Sequence, residues 1–198
     1  MLEKEMDLVV LPPFWYGAAS YAVSAPERKG GIHIDSGVLN VFARQLFYNL
    51  LRIGFRNIRL FYHHQSENFA SGMPNDLAFR LAAKQEIFAM LDREQGEGWW
   101  GENPESANYY AEHEAGTDPF SWIRVEPFMS AEAQSRWPID HAGEQETSLM
   151  LAFCPEGVDM KRFDGKYWYA QHAPKANTEY AEKAKAFILD DLRKRLTE

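Results

Sequence analysis

The chain has 198 residues, 45% of them hydrophobic, 14% aromatic and 25% charged, with a formal net charge of −8. A chain of this length buries a core unaided, and its one cysteine, Cys154, excludes both an intrachain disulfide and a cysteine-based zinc site. The acidic balance argues against a nucleic-acid backbone as main partner, and no apolar run approaches the roughly 18–20 residues of a membrane span. With an acidic N-terminus that lacks a signal-peptide core, the expectation is one soluble, cytoplasmic domain over residues 1–198.

Met6 to Leu11, a β-branched-rich run stopped by Pro12-Pro13, predicts a buried strand. Ser36 reads as a helix N-cap, and Val38, Leu39, Val41, Phe42, Leu46, Phe47, Leu50 and Leu51 follow at the spacing of one apolar helix face. Gly54 fits the C′ stop of that helix, Ser36 to Ile53. Asn57 to Tyr62 predicts a second strand, ending in His63-His64-Gln65-Ser66-Glu67-Asn68. Asn75 to Leu91 predicts a helix with Leu77, Leu81, Ile87, Phe88 and Leu91 toward the core. Residues 95–120 lack periodicity and carry Trp99, Trp100, Tyr109 and Tyr110. Trp122 to Met129 is a third strand candidate, His141 to Phe153 a short helix or a strand-to-helix passage, and Asn177 to Leu196 a final helix. Strands alternating with helices imply an α/β fold, a parallel sheet flanked by helices on both faces, with ligands beyond the carboxyl ends of the strands.

Three segments carry groups able to do chemistry. His63 to Asn68 sets imidazole and carboxylate directly after a strand, the donor types of zinc and manganese; a polar capping turn is the alternative. Asp140-His141-Ala142-Gly143-Glu144-Gln145-Glu146 sets a histidine among three carboxylates, which suits a general base or acid; the alternative is an acidic first helical turn favoured by the helix dipole. In Gly30 to Gly37, His33 and Asp35 share one side of an extended segment, or form a capping turn. There is no Gly-x-x-x-x-Gly-Lys-Ser/Thr and no Gly-x-Ser-x-Gly, and Cys154 reads as a packed thiol rather than a nucleophile.

Together these segments resemble the creatininase (creatinine amidohydrolase) family from about Leu11 to Val158. Pro12-Pro13-Phe14-Trp15-Tyr16-Gly17 is similar to its Pro-Pro-x-x-Tyr-Gly segment. Gly31-Ile32-His33-Ile34-Asp35 resembles a divergent Pro-Gly-Thr-x-x-Leu. Gly54-Phe55-Arg56-Asn57-Ile58 is similar to Gly-Phe-Arg-Arg-Ile, which precedes a strand and a Gly-His-x-x-Asn loop. The most specific match sets His141-Ala142-Gly143-Glu144-Gln145-Glu146-Thr147-Ser148-Leu149-Met150-Leu151 beside His-Ala-Gly-x-x-Glu-Thr-Ser-x-Met-Leu.

The resemblance implies a three-layer α/β/α domain and a metal-dependent hydrolase, with zinc or manganese, acting on a cyclic amide or related C–N bond of a small molecule. It assigns His64, Glu67 and Glu146 to the metal and His141 to catalysis. The reading of the residues adds Asp140 as partner of His141, and Tyr16, His33, Asp35, Trp99 and Trp100 as candidate substrate contacts; ordinary loop packing remains open for the tryptophans. The sequence departs from the family at the loop, where His63 replaces glycine and one residue is added, and at the start, where no Glu-x-His-Gly turn occurs. Those absent groups are the family's first metal ligands. The expectation is therefore a site completed by another subunit, in a homo- or hetero-oligomer that covers Met6–Leu11 and the helix Ser36–Ile53; the alternatives are a metal-free or single-metal relative in which His141 and its neighbouring carboxylates do different chemistry, and a non-catalytic relative with an assembly or ligand-binding role.

Overall fold

The computed structural model describes residues 2–18, 33–63, 71–99 and 118–197. Its contacts divide the chain into two compact units, one of Leu11–Phe128 and one of Met1–Val10 with Met129–Glu198.

In the unit of residues 11–128, helix α1 runs over Ser36–Ile53. Asp35 caps it, its carboxylate accepting from the Gly37 N–H at 2.8 Å. Gly54 ends it at φ 115°, a left-handed conformation that side-chain-bearing residues resist, with its N–H turned back onto the Leu50 and Leu51 carbonyls. Leu39, Ala43, Phe47 and Leu51, four residues apart, form its buried face. Strand β1, Ile58–Tyr62, leads into helix α2, Pro74–Gln95, and on to strand β2, Ile123–Pro127. The strands pair in parallel, Ile58 opposite Ile123 and Tyr62 opposite Pro127. This is a β-α-β crossover, and the fold class is α/β, as expected.

The face that α2 buries differs from the predicted one. Ile87 and Leu91 are buried, but Leu77, Leu81 and Phe88 are exposed. Ala78, Phe79, Ala82, Ala83 and Glu86 are buried instead. Ala78, Ala82 and Ala83 give α1 room to approach, and Phe79, Ile87 and Leu91 fill the core beside them. Two polar links fix it: Asn40 donates to the Ala78 carbonyl at 3.0 Å, and Arg44 pairs with the buried Glu86 at 2.7 Å. Pro74 occupies the first turn of α2, and the Met73 N–H donates to Asp76 at 2.6 Å. Arg80 joins Asp76 at 3.1 Å and the Tyr62 hydroxyl at 3.1 Å, tying the end of β1 to α2.

Met6–Leu11 is not a strand, which corrects the sequence expectation. After a 3-10 turn over Leu2–Lys4 this stretch is irregular, and Val9, Val10 and Leu11 are exposed. A strand exists only with a partner, and the first bridge among the described residues lies later, between Gly17 and His33.

The unit completed by residues 129–198 is helical. Helix α3 spans Ala131–Arg136, α4 Glu144–Phe153 and α5 Thr178–Thr197. Helix α5 packs against both α3 and α4. Its buried stripe is Ala181, Ala184, Ile188 and Leu192. Ser148 of α4, fully buried, donates to the Glu144 carbonyl at 2.5 Å and accepts from the Asn177 N–H at 2.9 Å. The Asn177 side chain in turn accepts from the N–H groups of Glu179 and Tyr180 and so caps α5.

Candidate functional site

The candidates fall in both units, and each group is described within its own unit. In the unit of residues 129–198 the chain approaches α4 through Asp140-His141-Ala142-Gly143. The Asp140 carboxylate accepts three backbone N–H groups, from Gly143 at 3.1 Å, Gln145 at 3.0 Å and Glu146 at 3.1 Å. These are the donors a helix start leaves without intrahelical partners, so an anion there satisfies them and complements the helix dipole. Gly143 is buried, and a β-carbon on it would collide with the Asp140 carboxylate. Glu146 reaches back to accept from the Ala142 N–H at 2.7 Å. Asp140 and Glu146 thus clamp the turn between them, and Ala142 is held at φ 51°. A side-chain-bearing residue costs about 1–2 kcal/mol in that region.

The clamped turn presents His141 to solvent, with its ring edge-on to Tyr169 at 5.0 Å. Tyr169 stacks on Tyr167 at 5.7 Å. An open groove of about 390 Å³ begins at Ala142 and Glu146 and is bordered by Met150, Met160, Phe163 and Tyr167. Sequence reasoning missed this floor, although the run Tyr167-Trp168-Tyr169 was its visible signal. Tyr180 lies near the same turn; burial first, then the charges of Asp140 and Glu144, push its phenol above the usual range. Cys154, half-buried, donates to Glu156 at 3.2 Å. That hydrogen bond holds the thiol above its ordinary pKa, opposite to what an activated nucleophile needs.

In the unit of residues 11–128, Tyr16 is exposed and stands edge-on to Phe14 at 5.6 Å. His33 bridges Gly17, and Asp35 caps α1, so this extended stretch leads directly into the helix. His63 follows β1, exposed, edge-on to Phe128 at 6.4 Å. Trp99 belongs to the buried core, with its indole N–H donating to Asp92 at 2.7 Å. His64, Glu67 and Trp100 lie outside the described residues.

Among the described residues, no group of three or more His, Cys, Asp or Glu side chains could hold a metal ion. Asp140, which accepts three backbone N–H groups, and Glu146, which accepts from Ala142, are two carboxylates where a divalent cation takes about three or four protein ligands, so by number they fall short of a metal site.

No curated protein and no solved structure matches the chain. A family model described as creatinine amidohydrolase matches residues 1–188. That family has an α/β fold, consistent with the three-layer α/β/α arrangement expected from the sequence, and is generally metal-dependent. The match spans nearly the whole sequence, and on that ground the chain belongs to the creatininase family.

Proposed function

We propose that this chain is an amidohydrolase-type subunit that cleaves a cyclic amide or a related C–N bond in a small molecule. The observation that carries the reading is the His141-Ala142-Gly143 turn, clamped by Asp140 and Glu146 with Ala142 at positive φ, beside an open groove in a chain of this family. Conformational strain kept at one polar turn is a feature of sites that position a reacting group. On this reading water adds to the amide carbon, forming a C–O bond as the C–N bond breaks, and the His141 ring nitrogen carries the water's proton to the leaving nitrogen. Asp140 acts on the backbone that carries the imidazole, and the Tyr169 edge limits the ring's rotation. In the other unit Tyr16, His33, Asp35 and Trp100 remain separate proposed ligand contacts, while Trp99 belongs to the buried core.

Zinc or manganese is the ion implied by the family; His64 and Glu67 are proposed donors in one unit and Glu146 a separate candidate in the other, with further donors proposed from another subunit of a homo- or hetero-oligomer. The family match covers residues of both units, which favours reading 1–198 as one creatininase-like domain; a cytoplasmic location belongs to the same proposal and rests on the sequence reading alone.

A second reading, a non-catalytic subunit used for assembly or ligand binding, is favoured by the capping work that occupies Asp140 and Glu146. The experiment that separates the two is metal analysis of the purified protein together with turnover of a panel of cyclic amides, for the wild type and for His141→Ala. Stoichiometric metal, and turnover lost in the variant at unchanged circular dichroism, support the hydrolase. A metal-free protein without turnover supports the second reading, and turnover unchanged by the substitution removes His141 from the mechanism.

A further inference from the structure

The groove beside the His141 turn has a wall of definite chemistry. Among the described residues, those that border it all lie between Ala142 and Ala173, within one unit. Helix α4 contributes Met150, the 3-10 turn of Met160–Arg162 contributes Met160, and Phe163 ends that turn. Met150 is 42% accessible, Met160 41% and Phe163 36%. Single exposed apolar side chains are ordinary, but these three share one concavity with Tyr167. Gly157 leaves the space in which Met150 lies, since a β-carbon there would stand 2.9 Å from the Met150 Cε. Two thioethers, a phenyl ring and a phenol form a soft, polarisable wall that fits the face or edge of an aromatic ring. At about 390 Å³ the groove has the volume of a small-molecule site.

Charge narrows the occupant. The carboxylates of Glu146, Asp159 and Asp164 border the groove against one cation, Arg162. Lys166 offsets Asp164 at 3.0 Å, and the balance still does not turn positive. An anionic substituent is repelled there, whereas an uncharged ring is not. Contact with the turn fixes where such a ring sits in the substrate. Tyr167 stacks on Tyr169 at 5.7 Å, and Tyr169 meets the His141 ring at 5.0 Å. Glu146, which holds the Ala142 N–H, borders the same groove. We infer that the groove is a subsite for an uncharged aromatic ring, and that the substrate class is a cyclic amide bearing an aryl or arylmethyl substituent beside the scissile bond. The amide half of this inference rests on the hydrolase proposed above, and the ring half rests on the groove.

The test is nuclear magnetic resonance of the full chain with isotope-labelled methionine methyl groups. The probes are succinimide, its benzyl derivative and the carboxybenzyl analogue. The benzyl probe should bind at least about tenfold more tightly than succinimide, the scale of one apolar group in a fitted pocket. Its ring current should move the methyl signals of Met150 and Met160. The carboxybenzyl probe should bind at least about tenfold more weakly than the benzyl probe. Met160→Gln combined with Phe163→Ser should abolish the preference for the ring; both positions are accessible, and circular dichroism checks the fold. Equal affinity for succinimide and the benzyl probe overturns the inference. So do shifts confined to other methionines, a preference that survives the double variant, tighter binding of the carboxylate, or no shift with any probe. Turnover is scored separately: ring-induced shifts without turnover keep the subsite and count against the hydrolase, and turnover of succinimide without a ring preference does the reverse.

Discussion

Replacing Gly143 by alanine tests the account of the His141 turn most directly. The added β-carbon meets the Asp140 carboxylate, which is anchored by three N–H groups and has little freedom to retreat. Overpacking of this kind costs about 1–3 kcal/mol. Asp140→Ala removes the acceptor of those three donors, and loss of a capping side chain costs about 0.5–2 kcal/mol. At roughly 2–4 °C per kcal/mol for a chain of this size, either single change should lower the melting temperature by several degrees. The double variant is the informative one. With Asp140 truncated, the β-carbon at 143 has nothing to strike, so Gly143→Ala should cost little further, leaving a coupling of about 1 kcal/mol or more. Urea denaturation of the four proteins measures it. Additivity within about 0.5 kcal/mol would refute the reasoning, since the glycine would then be required for something other than room for the cap.

Ala142→Gly should raise stability by up to about 1 kcal/mol, because glycine adopts φ 51° without strain; a loss in the same denaturation assay would contradict the strain argument. Ser148→Ala should lower stability by about 1–3 kcal/mol, since it leaves the Asn177 N–H without its buried acceptor. Hydrogen exchange should show the start of α5 opening more readily in that variant, and unchanged protection there would disconnect Ser148 from the cap.

The legibility of the fold varied by element for physical reasons. The extent of α1 was readable because both its ends are chemical, although the cap is Asp35 rather than the expected Ser36, and Gly54 takes the left-handed stop. Strands β1 and β2 were readable as short β-branched and aromatic runs. Met6–Leu11 misled because the same composition makes a strand only when another strand lies alongside. The inner face of α2 was only half legible because large apolar residues lie on both sides of the helix, Ile87 and Leu91 within and Leu77, Leu81 and Phe88 without. Alanines and a salt-bridged Glu86 do the packing, and a carboxylate is read as buried only once Arg44 is known to face it. In the site, His141 and Asp140 are neighbours in sequence, which suggested direct pairing. The backbone instead turns the carboxylate under the helix start, and sequence adjacency carries no information about that turn.

The ion pair between Arg193 and Glu5, at 2.8 Å, joins residues 188 positions apart within one unit. It is exposed and contributes little stability, but it sets an order of events during synthesis. At roughly 5–20 residues per second, Glu5 waits on the order of 10–40 seconds before its partner is made. The unit of Leu11–Phe128 can close within that interval. The first ten residues cannot gain this ion pair until Arg193 is made, and Val9 and Val10 remain exposed even after it forms.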